Sequence, residues 1–158
     1  MNVLTVNLSL STFVFWVAAR IYVVPNLPLW NPQAVLAPIL LLHSLRHLGL
    51  MFLAPGVVHE GMPAQFAYPA AFGDLLAAAL AMTALLTGTP RPLVWIFNVV
   101  GTVDLLAAIT LATIYGAPHF MGPAYWIHAF WVPALLVTHY LTFVVLTRNE
   151  KSPAPAAG

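Results

Sequence analysis

The chain has 158 residues, of which 61% are hydrophobic, only 6% are charged and none is cysteine, and its formal net charge is +1. A soluble domain carries about 25% charged residues because its surface must face water, so this composition excludes a water-exposed globular protein and reads as an integral membrane protein. The missing cysteines exclude disulfides, thiolate metal sites and cysteine nucleophiles, and the near-neutral charge, without a basic cluster, offers no surface to nucleic acid.

Crossing a bilayer takes about 20 apolar residues, and five stretches qualify: 4–24, 34–54, 67–87, 93–114 and 124–147. They predict an all-α membrane bundle of five transmembrane helices forming one domain over 1–147, followed by a disordered, Ala/Pro-rich cytoplasmic tail over 148–158. The first stretch has no basic residue before it and no small-residue cleavage site after it, so it reads as a retained helix, not a signal peptide. Asn7, Ser9 and Ser11 dilute it, and an interfacial placement of this segment would leave four spans. The second stretch carries His43, Arg46 and His47 near its middle. Their i, i+3, i+4 spacing puts all three on one face of an α-helix. The third carries Asp74 and the small run Ala77-Ala78-Ala79; the fourth carries Asn98, Gly101, Thr102, Asp104, Ala107 and Ala108. Small residues permit close helix approach. The fifth carries His128 and His139, three turns apart on one stripe, with Pro133 between them as an expected kink. The connections are broken by Pro and Gly.

Lys and Arg set orientation. Arg20, Arg91, Arg148 and Lys151 fall on one side of a five-span chain, which puts the C-terminus in the cytoplasm and the N-terminus outside. His59, Glu60 and His119 then lie in outward loops, as ordinary solvated residues or as a lid.

A charge deep in a span is costly and normally has a partner or a task. Counting about 1.5 Å per residue, His43, Arg46, His47, Asp74, Asp104 and His128 all fall between the midplane and the outer surface, on four different helices. Polar groups in spans turn toward the bundle interior, so these six residues define an expected outward-opening pocket for a metal, a haem or another small ligand. Asn98 and His139 are secondary members nearer the cytoplasmic side, with Asn98 placed to meet His139 or Thr138.

Imidazoles with a carboxylate suit zinc, copper or iron, and His43, His47, Asp74, Asp104 and His128 form that candidate set. Arg46 would repel a cation unless Asp74 or Asp104 first neutralises it, and it serves as an ion-pair partner or ligand anchor. A b-type haem needs two histidines facing each other from different helices, and His47 with His128 or His43 with His139 are the available pairs. A second reading is a structural or accessory subunit of a membrane complex, in which Arg46, Asp74 and Asp104 neutralise one another and only fix helix packing. A third is a proton-coupled small-solute transporter, since Asp and His at graded depths can relay protons. A homo-oligomer or a larger membrane complex fits any of the three. Hydrolytic chemistry finds no nucleophile-elbow pattern around Ser44.

The segment Phe97-Asn98-Val99-Val100-Gly101-Thr102-Val103-Asp104-Leu105-Leu106-Ala107-Ala108, with Trp131-Val132-Pro133 and Thr138-His139-Tyr140 after it, resembles a pattern in uncharacterised bacterial multi-pass membrane proteins. The resemblance covers about the last third of the chain. It implies a bacterial inner-membrane setting and nothing about activity. The five-span size is also similar to that of small tryptophan-rich sensory proteins that bind tetrapyrroles, but their motifs are not present here.

Overall fold

A computed structural model describes residues 3–148. The expected tail, apart from Arg148, lies outside the described residues. Within them the regular elements are all helical. They build five continuous rods, each long and apolar enough to cross a membrane: Val3–Asn26, Pro32–Leu53, Ala64–Leu86, Arg91–Ile114 and Gly122–Thr147. We call these the first to fifth helices.

Local chemistry explains where they start and how they deviate. The Asn31 side chain accepts a hydrogen bond from the Gln33 backbone N–H, and Pro32 fills the first turn of the second helix, where a missing N–H does no harm. That helix is α-helical over Pro32–Ser44 and then tightens to a 3₁₀ form over Leu45–Leu53. In the 3₁₀ form residues three apart eclipse, and its buried residues are Arg46, Gly49 and Phe52. The buried His43 continues the same line one step back. In the fifth helix Pro133 stands in the first turn of the α-helical part, Val132–Thr147, and the irregularity lies just before it, as a π turn over Ile127–Trp131.

The second, third, fourth and fifth helices pack around a common core, while the first lies outside, chiefly against the fifth. Only 6% of the most apolar window of the first helix is buried, against 56% for the fifth. The third helix lines the core with Ala77, Ala78, Ala81 and Ala84, which have too little side chain to hold its neighbours away. Two apolar clusters result. One contains Leu40, Ala81, Phe97 and Leu141; the other contains Phe52, Phe66, Leu105, Met121 and Leu135. Of the buried polar groups, His43, Arg46 and Asn98 lie between the clusters along their helices, and His139 lies beside that boundary, among Val137 and Leu141 of the first cluster.

The two ends are tied differently. At one, Arg91 donates from Nη2 to the Leu146 carbonyl at 2.5 Å, joining the fourth helix to the end of the fifth. At the other, the 54–63 and 115–121 connections dock on each other: the His59 N–H donates to Phe120 O at 2.8 Å and the Ala124 N–H to Val57 O at 3.3 Å. Ala117 and Met121, within the second of these connections, are fully buried. This end was expected to open into a pocket; the docked connections cover it. The outer faces expose Leu10, Phe13, Leu76, Val103 and Leu106 among other large apolar residues, a surface that fits contact with lipid.

The tight third-helix contact makes a direct prediction. Ala81 is fully buried in the first apolar cluster, so Ala81→Leu overpacks it and should lower stability by about 1–3 kcal/mol, read as a lower denaturation midpoint in detergent. Leu at Ala79, on the exposed face, should leave the midpoint unchanged.

Candidate functional site

The site is built on one guanidinium. Arg46 is 1% exposed, yet its donors reach three other helices. Nε donates to Asp74 Oδ1 at 2.7 Å and Nη2 to Asp104 Oδ2 at 2.5 Å. Nη1 donates to the Gly101 carbonyl at 3.2 Å and meets His139 Nε2 at 3.1 Å. Arginine has five N–H donors and no acceptor, so each of these partners must present a lone pair.

That requirement fixes the next shell. His139 Nε2 accepts from Arg46, which makes His139 a neutral imidazole with its proton on Nδ1. Nδ1 then donates to Asn98 Oδ1 at 2.7 Å, and Asn98 Nδ2 donates back to the His139 carbonyl at 3.3 Å. Phe97 stacks on the His139 ring at 5.3 Å between centroids. His43 lies against the same ring, 4.3 Å away, and its Nε2 meets Thr138 Oγ1 at 2.9 Å. The Thr138 hydroxyl hydrogen is directed to the Ala134 and Leu135 carbonyls, so Thr138 accepts from His43.

Glycines provide the room. A Cβ added at Gly49 would strike the Asp74 carboxylate, and one at Gly73 would strike the Asp104 carboxylate. One at Gly101 would lie 2.6 Å from His139 Cε1 and 2.9 Å from Arg46 Nη1. Three helices thus each leave out one side chain where a charged or polar group crosses. Gly101 was read from sequence as a site of close helix approach; Gly49 and Gly73 were missed. Their signal is positional. Gly49 follows Arg46 by three residues, Gly73 precedes Asp74 directly, and Gly101 precedes Asp104 by three.

Of the expected site residues, the structure brings together Arg46, Asp74, Asp104, His139 and Asn98, with His43 beside them. It separates two. His47 is exposed and its Nδ1 meets the Ser44 carbonyl at 3.0 Å. The expected common face of His43, Arg46 and His47 assumed 3.6 residues per turn; from Leu45 onward the period is 3.0, which keeps Arg46 inside and rotates His47 out. His128 is buried, but its ring packs on Phe52 and Phe66 at 5.4 and 5.7 Å, in the other apolar cluster. His59, Glu60 and His119 are exposed in the connections.

These placements bear on the cofactor readings. Among the described residues no group of three or more His, Cys, Asp or Glu is placed to hold a metal ion, and both carboxylates are engaged by Arg46. His43 and His139 touch ring to ring, leaving no gap for a macrocycle between them. His47 and His128 do not face each other, one being turned out and the other buried.

What the arrangement can do follows from charge and level. With both carboxylates ionised the triad carries a net −1. The Arg46 side chain is 0% exposed, whereas those of Asp74 and Asp104 are 14% and 15% exposed, so the carboxylates are its reachable members. Asp74 is ten residues from Ala64 and Asp104 ten from Ile114, each about 15 Å from its helix end. Arg46 is seven 3₁₀ residues from Leu53, about 14 Å. All three sit near the middle of their rods, and Asp74 lies deeper than its hydropathy boundary implied because the third helix begins at Ala64.

The family described as a domain of unknown function (DUF8737) matches residues 3–147. No curated protein and no solved structure matches the chain.

Removing one member of the triad strands the others. Arg46→Met should lower stability by about 3–5 kcal/mol, the cost of leaving buried charges unpaired. Adding Asp74→Leu and Asp104→Leu to it should recover most of that loss. Denaturation midpoints of the single and triple variants in detergent check this; equal losses would mean that packing, not charge, holds the site.

Proposed function

This chain belongs to the DUF8737 family, and we propose that it is an integral membrane protein that binds and releases a proton at mid-membrane, on the carboxylates that share Arg46. We place the N-terminus outside and the C-terminus in the cytoplasm, in a bacterial inner membrane. Five helices of sufficient length and their exposed apolar faces support the membrane setting, and the grouping of Arg20, Arg91 and Arg148 at one set of helix ends supports the orientation.

The observation that carries the proton reading is the double ion pair on a single guanidinium. One cation is matched by two carboxylates, and a bilayer interior penalises the unmatched charge. One added proton makes the triad neutral. Because the two carboxylates interact through Arg46, that proton belongs to the pair, not to either residue. Its arrival weakens one of the two links that hold the third and fourth helices to the second. Proton binding is therefore coupled to helix packing, as a proton-coupled solute transporter requires. Transport of a small solute is the activity this coupling would drive.

A packing lock is the second reading, and the glycines at 49, 73 and 101 favour it, since they seat the charged groups closely. The triple variant Arg46→Met, Asp74→Leu, Asp104→Leu separates the two. A lock predicts that it keeps its function in cells; the proton reading predicts a folded and inactive protein.

Infrared difference spectra of the protein in liposomes test the proton itself. We expect a protonated-carboxyl band that shifts in deuterium oxide and disappears in Asp104→Asn or Asp74→Asn. Absence of that band at every pH at which the protein stays folded would overturn the proposal. The absence of native cysteines makes the topology testable as well. Glu60→Cys should react with an impermeant maleimide from outside intact cells and Thr89→Cys should not; the reverse pattern inverts the orientation.

A further inference from the structure

His128 is a buried polar group that the triad leaves unexplained, and among the described residues both of its ring nitrogens, with His43 Nδ1 and Trp131 Nε1, lack a hydrogen-bond partner. It is 3% exposed. A neutral imidazole has one N–H to donate and one lone pair to accept, and a nonpolar residue in this apolar seam would leave neither unmet. It also sits in the π turn Ile127–Trp131, a rare geometry that concentrates at functional sites.

Its position relative to the triad can be read along the second helix. His43, Arg46, Gly49 and Phe52 form one buried line with three residues per step, and each 3₁₀ turn rises about 6 Å. Arg46 holds the guanidinium. The Asp74 carboxylate lies over Gly49, one turn outward. The His128 ring packs on Phe52, one turn further. Beyond it come Met121 and the docked connections, with His59, Glu60 and His119 exposed. The groups meeting the His128 ring from the second and third helices are Phe52 and Phe66, neither of which titrates. The sequence of levels is thus exposed cap, His128, Asp74, Arg46.

We infer that His128 relays protons between the capped end and the Asp74–Asp104 pair. The inference rests on the proton-binding reading and assigns the side from which that site exchanges. The imidazole accepts a proton from the cap side on its free nitrogen and releases the one on its other nitrogen toward Asp74. The ring ends neutral, in the opposite tautomer, and the carboxylate becomes a carboxylic acid. One turn is longer than a direct hydrogen bond, so in this scheme a water molecule passes the proton from the ring to the Asp74 carboxylate, which lies over Gly49. The ring resets by rotation. His128 is a positioning residue in this scheme, acting on the carboxylates through that water.

The test follows the carboxyl band in time after a pH jump, in oriented vesicles, for wild type, His128→Phe and His128→Gln. Phe matches the aromatic packing and Gln keeps one donor and one acceptor, but neither carries a proton through. We expect both variants to reach the wild-type band amplitude, roughly a hundredfold more slowly when the jump is on the Glu60 side, and at the wild-type rate from the opposite side. A wild-type rate in His128→Phe, or equal slowing from both sides, overturns the relay; should Phe fail to fold, the same result in Gln decides it. A band with unchanged kinetics sinks this inference alone. No band even in the wild type sinks the proton-binding reading and the relay with it.

Discussion

Everything else in this fold accommodates one desolvated guanidinium. Taking a charge out of water costs far more than any single hydrogen bond returns, so Arg46 is tolerable at 1% exposure only if its donors are met from several directions. They are met by Asp74, Asp104, the Gly101 carbonyl and His139, which belong to three different helices. The demand of one side chain therefore sets the mutual placement of four rods. Apolar packing alone could not do so, because between helices surrounded by lipid it has little preference for one register over another.

The backbone adapts to the same demand. A regular α-helix beyond Ser44 would turn residues 43, 46, 49 and 52 gradually off a common line; the 3₁₀ form keeps them in register. It costs some hydrogen-bond geometry and gives a straight inner edge carrying a histidine, an arginine, a glycine and a phenylalanine. Gly73 and Gly101 play the matching part on the third and fourth helices, where a methyl group would collide with Asp104 or with His139 and Arg46.

Much of this was legible in the chain. Five apolar stretches between Pro and Gly breaks mark the helices, and Arg46, Asp74 and Asp104 stand out because, Arg20 near the end of the first stretch aside, nothing else in those stretches is charged. Depth alone also places Asn98 to meet His139 or Thr138, and His139 is the partner found. Three features were not legible for physical reasons. The outward turn of His47 depends on a change of helical period that hydropathy does not encode. The separation of His128 from the triad depends on which ring faces which, and His128 and His139 share a stripe while lying about 16 Å apart along the fifth helix. The peripheral place of the first helix is hidden because lipid and protein interior select the same residues; its Leu10, Phe13 and Val14 would suit either.

The two halves of the bundle are unequal, and that asymmetry says more than the triad alone. On the side of Asn98, polar contacts continue from Arg46 through His139 to Asn98, with Thr142 fully buried nearby and bonded to the Thr138 carbonyl. On the side of Phe52 the core is aromatic and aliphatic, and His128 is its one buried histidine among the described residues. A lock would need no such difference, since a charge cluster screened equally from both ends holds helices together just as well. A site reached through a single buried histidine on the Phe52 side, with its arginine tied down on the Asn98 side, does need it. The carboxylates are less buried than the arginine they share, which again suits a group that exchanges something more than one that only holds. The packed glycines fix where the triad sits, and the reachable carboxylates are what a proton could use.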